Sequence, residues 1–336
     1  MAGLAAAVWL QNTPRPLAED PLDTGLLSDR AMALIARGDT PGALDMARFV
    51  QTRTRRDAPV LAMMMQQALK DGRFAEAIDD IDILLRMDGE GRARDGLFAV
   101  LMAAADVPEA RAPLVKSLSR SPWWRTAFVQ ALAERGSLEG ARSLLIQLRS
   151  GPKPAPAVEF APLILRQTAK HNYAAAYRDW LALTPAGRAP GVGDFNTPPD
   201  QTPFTWSAPA GAGGVTEASP GPTADVLRID YDGFSLPDLP QRLLLLPPGV
   251  YRLNWRRRTE GAADPISLTL TCADSPATVQ RAASVQNGAW LNETVTAVVP
   301  QTACPAVWLR VTPQPGERRA PSVTWITDLR LTPANL

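Results

Sequence analysis

Residues 241–259, QRLLLLPPGVYRLNWRRRT, change character halfway along. Leu243 to Leu246 are apolar without a break. After Pro247, Pro248 and Gly249 the side chains alternate. Tyr251, Leu253 and Trp255 form one set, and Arg252, Asn254, Arg256 and Arg258 form the other. Successive strand residues point to opposite faces, so this alternation reads as a half-buried strand. The Pro-Gly pair stops the first run and turns the chain into the second. The stretch is a hairpin-like corner between two sandwich strands, with the aromatic set inside and the arginine set outside.

Outward from this corner, strand-like runs recur at 204–206, 226–231, 242–246, 250–257, 266–272, 290–298, 306–312 and 323–331. They are short and separated by Gly, Pro, Asn and Asp, as in an antiparallel sandwich. In VWLRV, Val307, Leu309 and Val311 form the inner set and leave Trp308 and Arg310 outside. The apolar strand, the PGVYRL motif (248–253) and the closing WITDLRL with Asp328 resemble the jelly-roll fold of carbohydrate-binding modules. That resemblance covers the last ~130 residues and implies a sheet face that grips a glycan.

Before this region the period is helical, from about Thr24 to about Thr184. RGDTPGAL, KDGRFAEAI, AADVPEAR, ERGSLEGAR and KHNYAAAY align Ala43, Ala77, Ala110, Ala141 and Ala176. Five positions earlier stand Gly38, Gly72, Ala105, Gly136 and His171. The recurrence, roughly every 31–35 residues, is that of a helix-turn-helix solenoid. The small residue ends the first helix of each pair, and the alanine sits where two helices cross closely. Pro41 and Pro108 suit the first turn of second helices, with Thr40 as an N-cap. GRFAEAI (72–78) resembles the tetratricopeptide repeat family, which implies a groove for a partner protein. The family's small residue inside the first helix is replaced by Met65, Phe98, Val129 and Ile164.

The expected organisation is α+β and multidomain. It comprises an N-terminal segment 1–23, an α-solenoid 24–184, a Pro/Gly-rich linker 185–202 and a jelly-roll sandwich 203–336. The apolar run at 2–10 is too short to span a bilayer. It is either the trailing end of a membrane anchor or a frayed terminus.

Composition narrows the function. The net charge is +1, which argues against nucleic-acid binding. Arginine far outnumbers lysine, which occurs only at 70, 116, 153 and 170. Cys272 and Cys304 lack the spacing and histidine partners of a metal site. They form either a structural disulfide, implying an oxidising compartment, or two buried thiols. The sole histidine, His171, lies at a repeat turn without a nucleophile elbow. Asp79 and Asp82 share a helix face but read as solvated, and no phosphate loop or zinc motif appears. No cofactor, metal or catalytic residue is expected.

Binding is the remaining class. Arg252, Asn254, Arg256, Arg258, Trp308 and Arg310 are the candidate glycan-contacting residues: the aromatic stacks on sugar, and Arg donates forked hydrogen bonds. An acidic polysaccharide would suit them, although residues 203–336 carry equal numbers of Arg and of Asp plus Glu. The expectation is a non-catalytic adaptor in a bacterial envelope complex that makes, exports or anchors surface polysaccharide. It would be periplasmic and tethered to the inner membrane, contacting envelope or membrane subunits through its helices. A glycan-binding protein is the alternative, and a polysaccharide hydrolase or lyase the second.

Overall fold

A computed structural model describes residues 23–184, 187–207, 214–261, 266–274, 278–281 and 288–334. Among these, ten helices precede nine strands. The helices are α1 (Thr24–Ala36), α2 (Thr40–Arg53), α3 (Ala58–Lys70), α4 (Phe74–Met87), α5 (Arg94–Asp106), α6 (Pro108–Leu118), α7 (Arg125–Arg135), α8 (Leu138–Arg149), α9 (Ala157–Ala169) and α10 (Tyr173–Leu183). None of them is long and apolar enough to cross a membrane. The possible anchor at 1–23 lies outside the described residues, except for Asp23, which caps α1.

The five aligned sequence segments each fall on a pair of consecutive helices, the fifth pair being α9 and α10. Ala43, Ala77, Ala110, Ala141 and Ala176 are all fully buried, so the register read from the sequence marks the inner side of each second helix. The turns vary more. Gly38, Gly72 and His171 are left-handed, with φ of 85°, 71° and 59°. Gly136 is extended, and Ala105 lies inside α5. The cap of α2 is Asp39, not Thr40: its carboxylate accepts from the Gly42 amide at 3.0 Å, and Thr40 is already helical. Pro41 and Pro108 do stand in first turns.

The chain divides into two compact units at Pro154/Ala155. In the first, Leu27, Ala31, Ala43, Val50 and Val60 form one core, while Phe98 and Trp124 meet Phe128 edge-on further along. Of the acidic pair expected to be solvated, Asp79 is exposed, whereas Asp82 accepts from the Trp124 indole at 2.8 Å; the neighbouring Asp80 is buried with Arg55 at 3.0 Å. Burial pushes the Asp80 carboxyl up, against the pull of Arg55.

The second unit holds α9, α10 and every strand. These are β1 (Gly214–Ser219), β2 (Val226–Tyr231), β3 (Gln241–Leu244), β4 (Gly249–Gly261), β5 (Ile266–Cys272), β6 (Thr278–Arg281), β7 (Leu291–Val299), β8 (Val307–Pro313) and β9 (Ser322–Pro333). One antiparallel sheet runs β1-β2-β9-β4-β7, the other β3-β8-β5-β6. Setting aside the edge strands β1 and β6, consecutive strands alternate between sheets in the interleaved order of a jelly roll. The corner that opened the sequence reading is real: β3 and β4 flank Pro247 and Pro248 and belong to different sheets. The sequence reading missed β1 and β6. Residues 204–206 are not a strand; only Ser207 bridges, to Gln241, while Phe204 stacks on Tyr177 and Trp180 of α10.

The inner faces meet in one core that includes Leu227, Leu253, Trp255, Leu268, Leu309 and Ile326. Arg257 also points inward, where it meets Glu293 at 3.0 Å, and both are buried. Its Nη1 donates to the Ile266 carbonyl of the opposite sheet. Cys272 and Cys304 are joined as a disulfide, with 5.1 Å between Cα atoms, beside that core. The described part of the expected linker is packed. Phe195 stacks on Trp206 in the core, and buried Arg242 donates to the Pro190 and Gly191 carbonyls.

Candidate functional site

Strand β4 places its side chains as the alternation requires. Tyr251, Leu253 and Trp255 are buried; Arg252 and Arg256 are exposed, with Asn254 and Arg258 partly so. In β8, Val307, Leu309 and Val311 are buried, and Trp308 and Arg310 are half-buried on the other side. The six candidate residues nevertheless do not form one site. Arg252, Asn254, Arg256 and Arg258 lie on the outer face of the five-stranded sheet, whereas Trp308 and Arg310 lie on the outer face of the four-stranded sheet. Each strand's alternation was legible; the strand's sheet was not, because non-local pairing decides it.

The four-stranded face is closed. Outward-pointing Ser267, Thr269 and Leu243 are all buried. The Arg310 guanidinium lies 5.0 Å from the Trp308 ring centroid and donates to Gln241 Oε1 and Thr271 Oγ1. Two of its donors are thus used within the sheet, and burial lowers its pKa.

The five-stranded face is open and carries residues that the sequence reading left out. The register sets Arg228, Trp325 and Arg258 side by side across β2, β9 and β4. Arg258 stands 5.1 Å from the Trp325 ring centroid, and Arg256 stands 5.3 Å from that of Trp290, which is exposed just before β7. Asn254 accepts from Thr294 at 2.8 Å on the neighbouring strand, and Arg252 extends the exposed row. Carboxylates are interleaved: Arg228 pairs with Asp230 at 3.0 Å and Glu217 at 3.8 Å, and Arg258 pairs with Glu260. The alternation of VTWITDLRL could have placed Trp325 outside. Asp328 was hidden by a break in register. Between Asn254 and Arg256, β9 holds one residue more than β4, and Asp328 takes up the excess with φ of 54°.

The sole histidine is engaged elsewhere in this unit. His171 Nδ1 lies 2.5 Å from Asp274 Oδ1, and the Tyr173 hydroxyl donates to the same oxygen at 2.5 Å. Burial and this carboxylate push the Tyr173 hydroxyl up to about 12. Burial raises Asp274, but hydrogen bonds from Tyr173 and His171 outweigh it and hold the carboxyl below its ordinary value. The trio fastens the α9–α10 turn to the end of β5. Among the described residues, no group of His, Cys, Asp and Glu is arranged to hold a metal ion.

No protein-family model and no curated protein matches the chain. Solved structures similar to part of it include carbohydrate-binding modules. One described as "CBM4 structure and function" is 16% identical with a TM-score of 0.31, covering 42% of this chain and 97% of its own. The module TmCBM61 in complex with beta-1,4-galactotriose is 17% identical with a TM-score of 0.30, covering 44% and 97%. The CBM22-1 xylan-binding domain from Paenibacillus barcinonensis Xyn10C is 10% identical with a TM-score of 0.25, covering 39% and 86%. The jelly-roll assignment above stands on strand pairing alone.

Proposed function

We propose that this protein binds glycans through the outer face of its five-stranded sheet, as a binding protein without a reaction centre. The observation that carries the reading is the pairing of two tryptophans, Trp290 and Trp325, with arginines on one open face. An indole offers a flat apolar surface to the C–H side of a sugar ring, while guanidinium and carboxylate groups supply donors and acceptors for its hydroxyls. The disulfide and the binding face suit an oxidising compartment outside the cytoplasm.

The test is binding of the full chain to a panel of β-1,4-linked gluco-, xylo- and galacto-oligosaccharides and oligogalacturonate. Binding that is lost in Trp325→Ala and Trp290→Ala but kept in Trp308→Ala supports the reading. Absence of binding to any glycan on a broad array overturns it.

One observation favours a second, compatible reading, an adaptor role for the first unit. Trp123 is 57% exposed, with the Arg94 guanidinium 5.6 Å from its ring centroid. An exposed Trp-Arg pair is a common anchor in protein interfaces. Co-purification of membrane or envelope proteins that fails in Trp123→Ala would support that role.

A further inference from the structure

The five-stranded face has a polar centre that its own contacts leave half used. Asp328 sits in the bulge of β9 with φ of 54°, a backbone conformation that costs an ordinary residue energy and that Gly or Asn adopts more readily. Its side chain retains 23% exposure. Arg256 Nη1 lies 3.7 Å from Oδ2, and Arg330 Nη2 lies 3.9 Å from Oδ1. Both separations are ion-pair distances too long for a hydrogen bond. Among the described residues Asp328 accepts no hydrogen bond, so a carboxylate with about four acceptor positions lies within ion-pair reach of two guanidinium groups and keeps those positions open. A third group that both donates and accepts can bond to such a carboxylate and to a neighbouring guanidinium at once. Asn254, paired with Arg330 across the strands, has its oxygen taken by Thr294 and is left with an amide N–H₂ to offer. Arg256, the partner of Asp328, is also the residue over the Trp290 ring.

We infer that Asp328 is the specificity-determining carboxylate of this face. It accepts hydrogen bonds from two neighbouring hydroxyls of a neutral sugar, whose oxygens accept in turn from Arg256 and Arg330. The inference rests on the proposed glycan-binding role and deepens it. A hydroxyl, unlike a carboxylate, both donates and accepts, so from beside the pair it can donate to the anion and accept from the cation. The bulge turns Asp328 onto the face that holds both tryptophans. The charge balance selects the ligand class. Arg228, Arg252, Arg256, Arg258 and Arg330 on this face are offset by Glu217, Asp230, Glu260 and Asp328, which leaves no strong field for an acidic polymer. The acidic polysaccharide expected from the sequence is therefore replaced by a neutral one presenting a vicinal diol.

The test uses two variants of the full chain that suit the left-handed backbone, Asp328→Asn and Asp328→Gly, with the oligosaccharide panel above. Both are expected to fold, with the thermal midpoint of Asp328→Gly equal to or above that of the natural chain. Both are expected to bind the neutral oligosaccharides at least tenfold more weakly, with little change in the natural chain's affinity as salt is raised. Variants that bind within twofold of the natural chain would overturn the role of Asp328 and leave the glycan-binding face standing. A natural chain that binds only oligogalacturonate, ever more weakly as salt rises, would overturn the neutral ligand class alone. A natural chain that binds no glycan removes both proposals together.

Discussion

The two outer faces of the sandwich are built from the same materials and end in different states. Each has a tryptophan with an arginine over its ring: Trp308 with Arg310 on one, Trp325 with Arg258 on the other. On the four-stranded sheet Arg310 donates to Gln241 and Thr271, and the outward residues Ser267 and Thr269 are buried. On the five-stranded sheet Trp325 and Arg258 are half-buried as well, but Arg252 and Arg256 beside them are exposed and Asp328 has acceptor positions to spare. Both arginines donate to neighbours, Arg310 to Gln241 and Thr271 and Arg258 to Glu260, so the difference between the faces lies in the residues around each pair.

A buried ion pair holds the two faces back to back. Arg257 and Glu293 are buried together, and Arg257 reaches the opposite sheet through the Ile266 carbonyl. Glu293→Ala strands a buried cation, so chemical denaturation should show a loss of about 3 to 5 kcal/mol. A loss below about 1 kcal/mol would mean that the sheets are held by apolar contact alone. Opening the Cys272–Cys304 bond tests the four-stranded side by itself. For a sequence separation of 32 residues, chain entropy gives a loss of about 3 to 4 kcal/mol in Cys272→Ser/Cys304→Ser. Glycan affinity of the variant that remains folded should be unchanged, because the bond lies on the four-stranded sheet.

A smaller effect separates the faces directly. In calorimetry, Trp325→Ala should weaken glycan binding at least tenfold, about 1.4 kcal/mol, and Trp308→Ala should change it less than twofold. Equal losses in the two variants would erase the distinction. The smallest effect concerns the α9–α10 turn. The Tyr173 hydroxyl should release its proton near pH 12, followed by phenolate absorbance, and at a lower pH in Asp274→Ala. Its folded value lies above the ordinary tyrosine value of 10, so the contact stabilises below that pH and is lost as pH rises from about 10 to 12. Asp274 has the opposite sense: its folded value is depressed, so its contribution is present above the ordinary carboxylate range and lost as pH falls through the depressed value.

The sequence made one side of each element legible and little beyond it. The alanine register marked the buried side of all five second helices because close crossing tolerates only a small side chain. Alternation in 250–258 sorted inside from outside correctly, yet Arg257 falls in the inner set and is buried against Glu293, a partner that only cross-strand pairing supplies. The disulfide was one of two open readings, since spacing alone does not bring Cys272 and Cys304 together. Sheet membership was not legible: the alternation places Trp308 and Arg256 each on an outer face, and those faces belong to opposite sheets. Asp328 escaped because one extra residue in β9 breaks the two-residue period.

The position of β9 has a consequence for how the chain is made. It lies between β2 and β4, about a hundred residues from the one and about seventy from the other in sequence. Helix hairpins join neighbours in the chain and can form while the ribosome is still adding residues, but this sheet stays divided until residues 322–333 have left the exit tunnel. During synthesis the nascent sandwich therefore carries unpaired strands longest, and a chaperone would meet it in that condition rather than as the finished double sheet.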